Sequence, residues 1–244
     1  MTVLGLDTAT ASTAVGLRLA RGTVFERRDD PPAGAHPGHA TRLLGMVAEL
    51  LEQAGGSWQE IQRIAVGVGP GTFTGLRVGV ATARGLAHSR GIPLVGVSSL
   101  QALALGALDG GAGEREGEAP SVVLAVIDAR RGEVFAAPYE RAGAGPPRAL
   151  GAAVAIAPER LTELTTGRGP DAGGWLLVGD GAERYRELLA GAGLRVAAAD
   201  SPLNRISAGA ICELGAGAPE PPGDGRALPD YVRRPDAELA LEGA

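Results

Sequence analysis

The sequence contains no lysine, and all 23 of its basic residues are arginine. A Walker-type phosphate loop needs a lysine for the phosphates, and Schiff-base chemistry needs a lysine amine, so both classes are excluded. There is one cysteine, Cys212, which excludes an intramolecular disulfide and any multi-cysteine zinc site. Aromatic residues make up 3% of the chain, so its core must be assembled from Ala, Val and Leu. No uninterrupted apolar run approaches the roughly 18 residues of a membrane span, and no charged segment precedes an apolar leader. A soluble, cytoplasmic protein with no membrane partner is the expectation. Peptidase chemistry also lacks its usual marks. There is no His-Glu-x-x-His, and after Gly96 and Ser98 the last glycine of a Gly-x-Ser-x-Gly elbow is replaced by Leu100.

What the chain does have is 244 residues, 45% of them hydrophobic, and a net charge of -5. That is enough for one large domain or two small ones with ample core. The negative charge argues against gripping nucleic acid over the whole surface, though a local basic patch remains compatible with it.

The chain opens with three expected strands: Val3–Leu6, Thr13–Leu19 and a third from Thr23, joined by polar turns. Asp7 and Thr8 fall at the first bend. Two readings compete there: a bend facing a phosphate or metal ion, and an ordinary turn, since Asp and Thr are common turn residues. A helix is expected over 39–54, where Leu43, Leu44, Val47, Leu50, Leu51 and Ala54 form a wide apolar stripe and Gly55-Gly56 ends it. His36 and His39 straddle Pro37-Gly38 and have no third ligand nearby, so no metal site is expected.

The stretch the rest is arranged around is Gly67–Ala87, GVGPGTFTGLRVGVATARGLA. A buried strand ends in a glycine-rich turn, Thr72 stands at the N-cap position, and a helix runs from there to about His88. Gly75, Gly79, Ala83 and Ala87 recur every four residues, making a line nearly free of side chains. Two glycines inside a helix cost roughly 1 kcal/mol each relative to alanine, so another backbone should approach closely, from this chain or from a partner. Arg77, Arg84 and His88 lie on another face. The turn is no dinucleotide fingerprint, because Thr72 and Thr74 stand where a third glycine would be needed.

Residues 109–120 are Gly- and Glu-rich and read as a linker or surface loop. Beyond them the plan repeats. A buried strand ends at Asp128, a bend follows, and a strand returns from Glu133; later, a strand over 175–178 enters Gly179-Asp180-Gly181. The chain therefore divides into 1–108, the linker 109–120, 121–225 and a tail, 226–244.

The segments LGLDTAT (4–10), GVGPGTFTGLRVGVATARGLA (67–87), GVSSL (96–100), AVIDARRGEVFAA (125–137), VGDGAERY (178–185) and PDYVRR (229–234) occur in this order. Together they resemble the TsaB (YeaZ) family of bacteria over nearly the full chain. The resemblance implies an α/β fold of two related domains of the actin, sugar-kinase and chaperone-ATPase type, with an interdomain cleft. It implies a non-catalytic dimerisation or scaffold subunit, required with the paralogue TsaD for threonylcarbamoylation of the adenosine next to the anticodon in tRNA. The TsaE ATPase joins the complex, the subunit alone is a homodimer, and contact with tRNA is indirect.

Carried over by residue, the resemblance places the partner interface on the helices 39–54 and 72–88: His39, Leu43, Val47, Thr72, Phe73, Gly75, Leu76, Gly79, Val80, Ala83 and Ala87. The small-residue line is then the docking surface for a partner subunit. Asp7, Thr8, Asp128, Gly179, Asp180 and Gly181 match the nucleotide positions of related folds, in a cleft regarded as degenerate. No catalytic residue, metal or cofactor is implied, although a nucleotide at the cleft or subunit interface is left open. The histidine pair of the catalytic paralogue is missing. The alternative is an ATP-binding or ATP-hydrolysing enzyme whose magnesium would be held by Asp7, Asp128 and Asp180.

Overall fold

The computed structural model describes residues 1–32, 34–110, 120–143, 145–167, 174–219 and 227–232. Most of the linker read over 109–120 and much of the tail lie outside the described residues, as do Arg233 and Arg234. Two sheets organise the chain. The first contains β1 (Val3–Asp7), β2 (Thr13–Arg18), β3 (Val24–Asp29), β4 (Arg63–Gly69) and β5 (Leu94–Ser98), in the order β3-β2-β1-β4-β5. The second contains β6 (Val122–Arg130), β7 (Glu133–Glu140), β8 (Arg148–Ala149), β9 (Val154–Ile156), β10 (Leu176–Val178) and β11 (Arg195–Val196).

The second sheet repeats the first. β1 pairs antiparallel with β2 and parallel with β4, which pairs parallel with β5. Likewise β6 pairs antiparallel with β7 and parallel with β10, which pairs parallel with β11. The echo between Asp7 and Asp128 is thus a structural duplication: both lie at the C-terminal end of the central strand of their sheet. This is an α/β fold of two related halves, as expected.

Side-chain alternation along β1 explains the layering. Leu4 and Leu6 face α1 (His39–Ala54) and α2 (Phe73–Arg90), meeting Leu43, Val47, Leu50, Val80 and Ala83. Val3 faces the other way, into a central core with α3 (Ser99–Gly110), α7 (Ala208–Gly217) and the inner face of the second sheet, Val123, Ala125 and Ile127. The outer face of that sheet, Leu124 and Val126, is covered by Trp175, Leu161, Leu164 and the short helices α4 (Thr162–Thr165), α5 (Asp180–Arg184) and α6 (Arg186–Gly191). The result is five layers, helix–sheet–helix–sheet–helix, in agreement with the period of two that buried strands impose.

The two halves exchange a helix. α7 comes late in the chain but lies on the first sheet, where Gly5 and Gly16 let it approach. A Cβ on either glycine would come within 2.8 Å of the Ala208 carbonyl oxygen. Charges fix both ends of this helix. Glu26 of β3 accepts from Ser207 Oγ and the Gly209 amide at its N-terminus, and the buried Arg63 of β4 donates to the Gly215 and Ala218 carbonyls (2.8 and 2.6 Å) at its C-terminus. The division at 109–120 therefore divides the chain but not the packing.

Cys212 on α7 is fully buried, with desolvation pushing its thiol up to about 12. A thiolate is the reactive form. We expect no reaction with an aromatic disulfide reagent at pH 8 in native protein and stoichiometric reaction after denaturation, followed by absorbance.

Candidate functional site

Asp7 ends β1 and is buried. One carboxylate oxygen accepts the Ala9 amide (2.9 Å) and the other the Ser99 hydroxyl (2.7 Å). Gly67 closes the remaining side, since a Cβ there would lie 1.8 Å from Asp7 Oδ2. Burial raises the Asp7 pKa, against the two hydrogen bonds and the charge of Arg28. This carboxylate is locked into the fold on both oxygens. Thr8, also buried, donates its hydroxyl to the Gly75 carbonyl (2.7 Å) and so ties the first bend to α2.

The duplicated site is engaged differently. Asp128 Oδ1 accepts the Arg130 amide (3.0 Å), while Oδ2 is ion-paired with Arg184 (3.1 Å) and Arg130 (3.4 Å). Arg130 and Arg131 hold positive φ angles of 63° and 57°, an uncommon conformation for residues with side chains. It returns the Arg130 guanidinium onto Asp128. Asp180 accepts the Asp128 amide (3.1 Å) through Oδ1. Its pKa is raised to about 6, chiefly by desolvation and further by the neighbouring Asp128 charge. Gly179 and Gly181 let the turn after β10 press on the end of β6, where Cβ atoms would fall 2.1 Å from the Val126 oxygen and 2.8 Å from the Ile127 carbonyl carbon.

The cleft residues named from the sequence thus lie at the ends of equivalent strands, but their carboxylates already have partners within the chain. Among the described residues no three His, Cys, Asp or Glu side chains are placed to hold a metal. The sequence reading missed Ser99, Arg130 and Arg184 as those partners. Arg184, four residues beyond Asp180 in GDGAER, was the available signal.

The helix pair requires a correction. Gly75 and Gly79 face Thr8 of the same chain: a Cβ on Gly75 would sit 2.1 Å from the Thr8 carbonyl oxygen, and one on Gly79 2.2 Å from Thr8 Oγ1. Leu76, Val80, Ala83 and Ala87 are buried with them, as are His39, Leu43 and Val47 on α1. The small-residue line is therefore internal, its glycines against the first bend and its alanines in the core under α1 and α2, not a surface open to a partner. Of the expected interface residues, Phe73 is 39% exposed and Thr72 partly so. Thr72 occupies the N-cap position of α2 without a side-chain capping bond. His39 begins α1 with Nδ1 2.8 Å from Thr13 Oγ1, and burial lowers its pKa. It fixes the helix start to β2. The accessible face of the pair carries Leu44 and Ala48 on α1, and Phe73, Arg77, Ala81, Arg84 and His88 on α2.

A family model described as "TsaD: tRNA N6-adenosine threonylcarbamoyltransferase" matches residues 31–198. The tRNA threonylcarbamoyladenosine biosynthesis protein TsaB of Escherichia coli is 35% identical over 192 residues, covering 77% of this chain and 75% of its own length. YeaZ from Pseudomonas aeruginosa superposes with a TM-score of 0.73 at 31% identity, covering 94% of this chain and 99% of that one. A Pseudomonas aeruginosa protein described by its similarity to peptidase YeaZ gives a TM-score of 0.74 at 30% identity, covering 95% and 99%.

Proposed function

Since the chain belongs to the TsaB (YeaZ) family, we propose that it is a non-catalytic docking subunit of the machinery that makes threonylcarbamoyladenosine in tRNA. Its partner in this reading is a TsaD-type transferase, which carries the chemistry. A TsaE-type ATPase joins the assembly, the free subunit pairs with itself, and the tRNA is held mainly by the transferase in the cytoplasm. The observation that carries the non-catalytic part is the state of the two strand-end carboxylates. Asp7 spends both oxygens on Ala9 and Ser99, and Asp128 is neutralised by Arg130 and Arg184. A magnesium-dependent phosphoryl transfer needs carboxylates free to hold the ion or its waters. The peptidase reading gains nothing from the site, because Cys212 and Ser99 are both fully buried and out of reach of a substrate.

Docking in this proposal uses the α1/α2 face through its accessible residues, Phe73 and Leu44 among them. The test is reconstitution. The purified chain alone is expected to turn over no ATP with magnesium and to modify no tRNA, and adding it to a TsaD-type partner with threonylcarbamoyl-adenylate is expected to restore modification. Sustained magnesium-dependent ATP turnover by the isolated chain would favour the sugar-kinase-like alternative and overturn this reading.

A further inference from the structure

Residues 227–232 form a strap across the end of the first sheet. Ala227 is buried in the core under α1 and α2, Val232 packs on the central core, and the Asp230 amide donates to the Val68 carbonyl (2.7 Å). Between these anchors Tyr231 reaches the first turn of α2. Its ring centroid is 5.5 Å from that of Phe73, with 34° between the planes, and its hydroxyl accepts from Arg77 Nε (3.3 Å). The Arg77 guanidinium lies 3.8 Å over the Phe73 ring. Yet Phe73 and Tyr231 remain 39% and 37% exposed.

A tyrosine, an arginine and a second aromatic ring held together at a surface are the residue types that dominate binding energy at protein interfaces. Their order in the free chain reduces the entropy lost on docking. The same face continues with Arg84 and His88, seven and eleven residues beyond Arg77, and α2 contains no acidic residue. Among the described residues neither Arg77 nor Arg84 is ion-paired with a carboxylate, in a chain whose net charge is -5. A basic ridge on an acidic protein steers a partner of opposite local charge.

We propose that the C-terminal strap is part of the docking surface. Phe73, Arg77 and Tyr231 form a preassembled anchor, Arg84 and His88 extend it along α2, and the partner presents an acidic protein face. This rests on reading the chain as a docking subunit. RNA fits less well, because single-stranded bases need an open aromatic face on which to stack. Arg77 covers a face of Phe73, and Arg90 covers one of Trp58 at 4.4 Å.

The test titrates a TsaD-type partner against full-length variants by calorimetry, with melting temperatures measured alongside. Tyr231→Ala is expected to weaken binding about tenfold or more, Tyr231→Phe by no more than about threefold, and Arg84→Glu by a margin that shrinks as salt rises. Leu188→Ala, at an exposed site on α6, should bind as wild type. Wild-type binding by Tyr231→Ala beside a weakened Arg84→Glu would remove the strap from the surface while leaving the docking reading intact. Wild-type binding by both overturns the surface altogether, and absence of binding by the unmutated chain overturns the docking reading itself. Should Tyr231→Ala fail to fold, hydrogen exchange of the unmutated chain decides: partner-dependent protection of 229–232 supports the proposal and its absence refutes it. Loss of tRNA binding in Arg84→Glu, with partner affinity unchanged, would assign the ridge to RNA.

Discussion

Gly79→Leu is expected to cost the isolated chain about 3 kcal/mol, at the upper end of overpacking penalties, and to lower its melting temperature by roughly 6–12 °C. A Cβ at this position would lie 2.2 Å from Thr8 Oγ1, and leucine adds three more carbons in the same direction. The displaced hydroxyl would lose its bond to the Gly75 carbonyl, a further contribution of about 1 kcal/mol. Better helix propensity returns only about 0.8 kcal/mol. Two controls isolate the packing effect. Gly45 on α1 and Gly85 on α2 have open space where a Cβ would be placed, so Gly45→Ala and Gly85→Ala should each stabilise by up to about 1 kcal/mol. Calorimetric scans of the three variants make the comparison. A Gly79→Leu chain that melts like wild type but fails to associate would restore the small-residue line as a docking surface.

The second large effect concerns pH. Asp180 is uncharged more readily in the folded protein than in the unfolded chain, its pKa moving from 3.8 to about 6. Between those values the native state binds more protons than the unfolded state, so this residue makes stability fall as pH rises through the window. Above about pH 6 the full penalty applies, on the order of 3 kcal/mol at 1.36 kcal/mol per pKa unit. Asp180→Asn keeps an oxygen to accept the Asp128 amide and removes the charge beside Asp128. The variant should therefore be more stable than wild type at pH 7.5, by up to about 3 kcal/mol, with the advantage vanishing below pH 4. Urea denaturation at pH 4, 6 and 7.5 measures it. An equal difference at all three values would show that the carboxyl is not desolvated.

Local pattern carried much of the fold. The apolar stripe of 39–54 and the turn-then-helix of 67–87 correspond to α1 and α2, because amphipathic period and glycine stops are written in neighbouring residues. The repeated strand–Asp–bend was legible at Asp7 and Asp128 for the same reason. What the sequence could not say was what lies across each face. The spacing of Gly75 and Gly79 announces close approach, but Thr8 of the same chain and a partner helix leave an identical pattern in α2. The residues that occupy the carboxylates are equally remote: Ser99 stands 92 positions from Asp7, and Arg184 stands 56 from Asp128. Tyr231 meets Arg77 across 154 positions, and no periodicity links them. Long-range pairs of this kind are set by topology, and only the assembled sheets reveal them.

The helix exchange bears on how the chain comes to be made. Strands β1, β4 and β5 are complete by residue 98, yet the surface they offer to α7 has no cover until residues 208–217 have been added. At synthesis rates of roughly 5–20 residues per second, the intervening stretch takes on the order of ten seconds. For that interval the nascent first half carries an unsatisfied apolar sheet face, with Arg63 and Glu26 waiting for the two helix ends they later hold. Packing of the first sheet is thus completed late, however early its strands are translated. A chain released before residue 217 would be a natural client for chaperones and proteases.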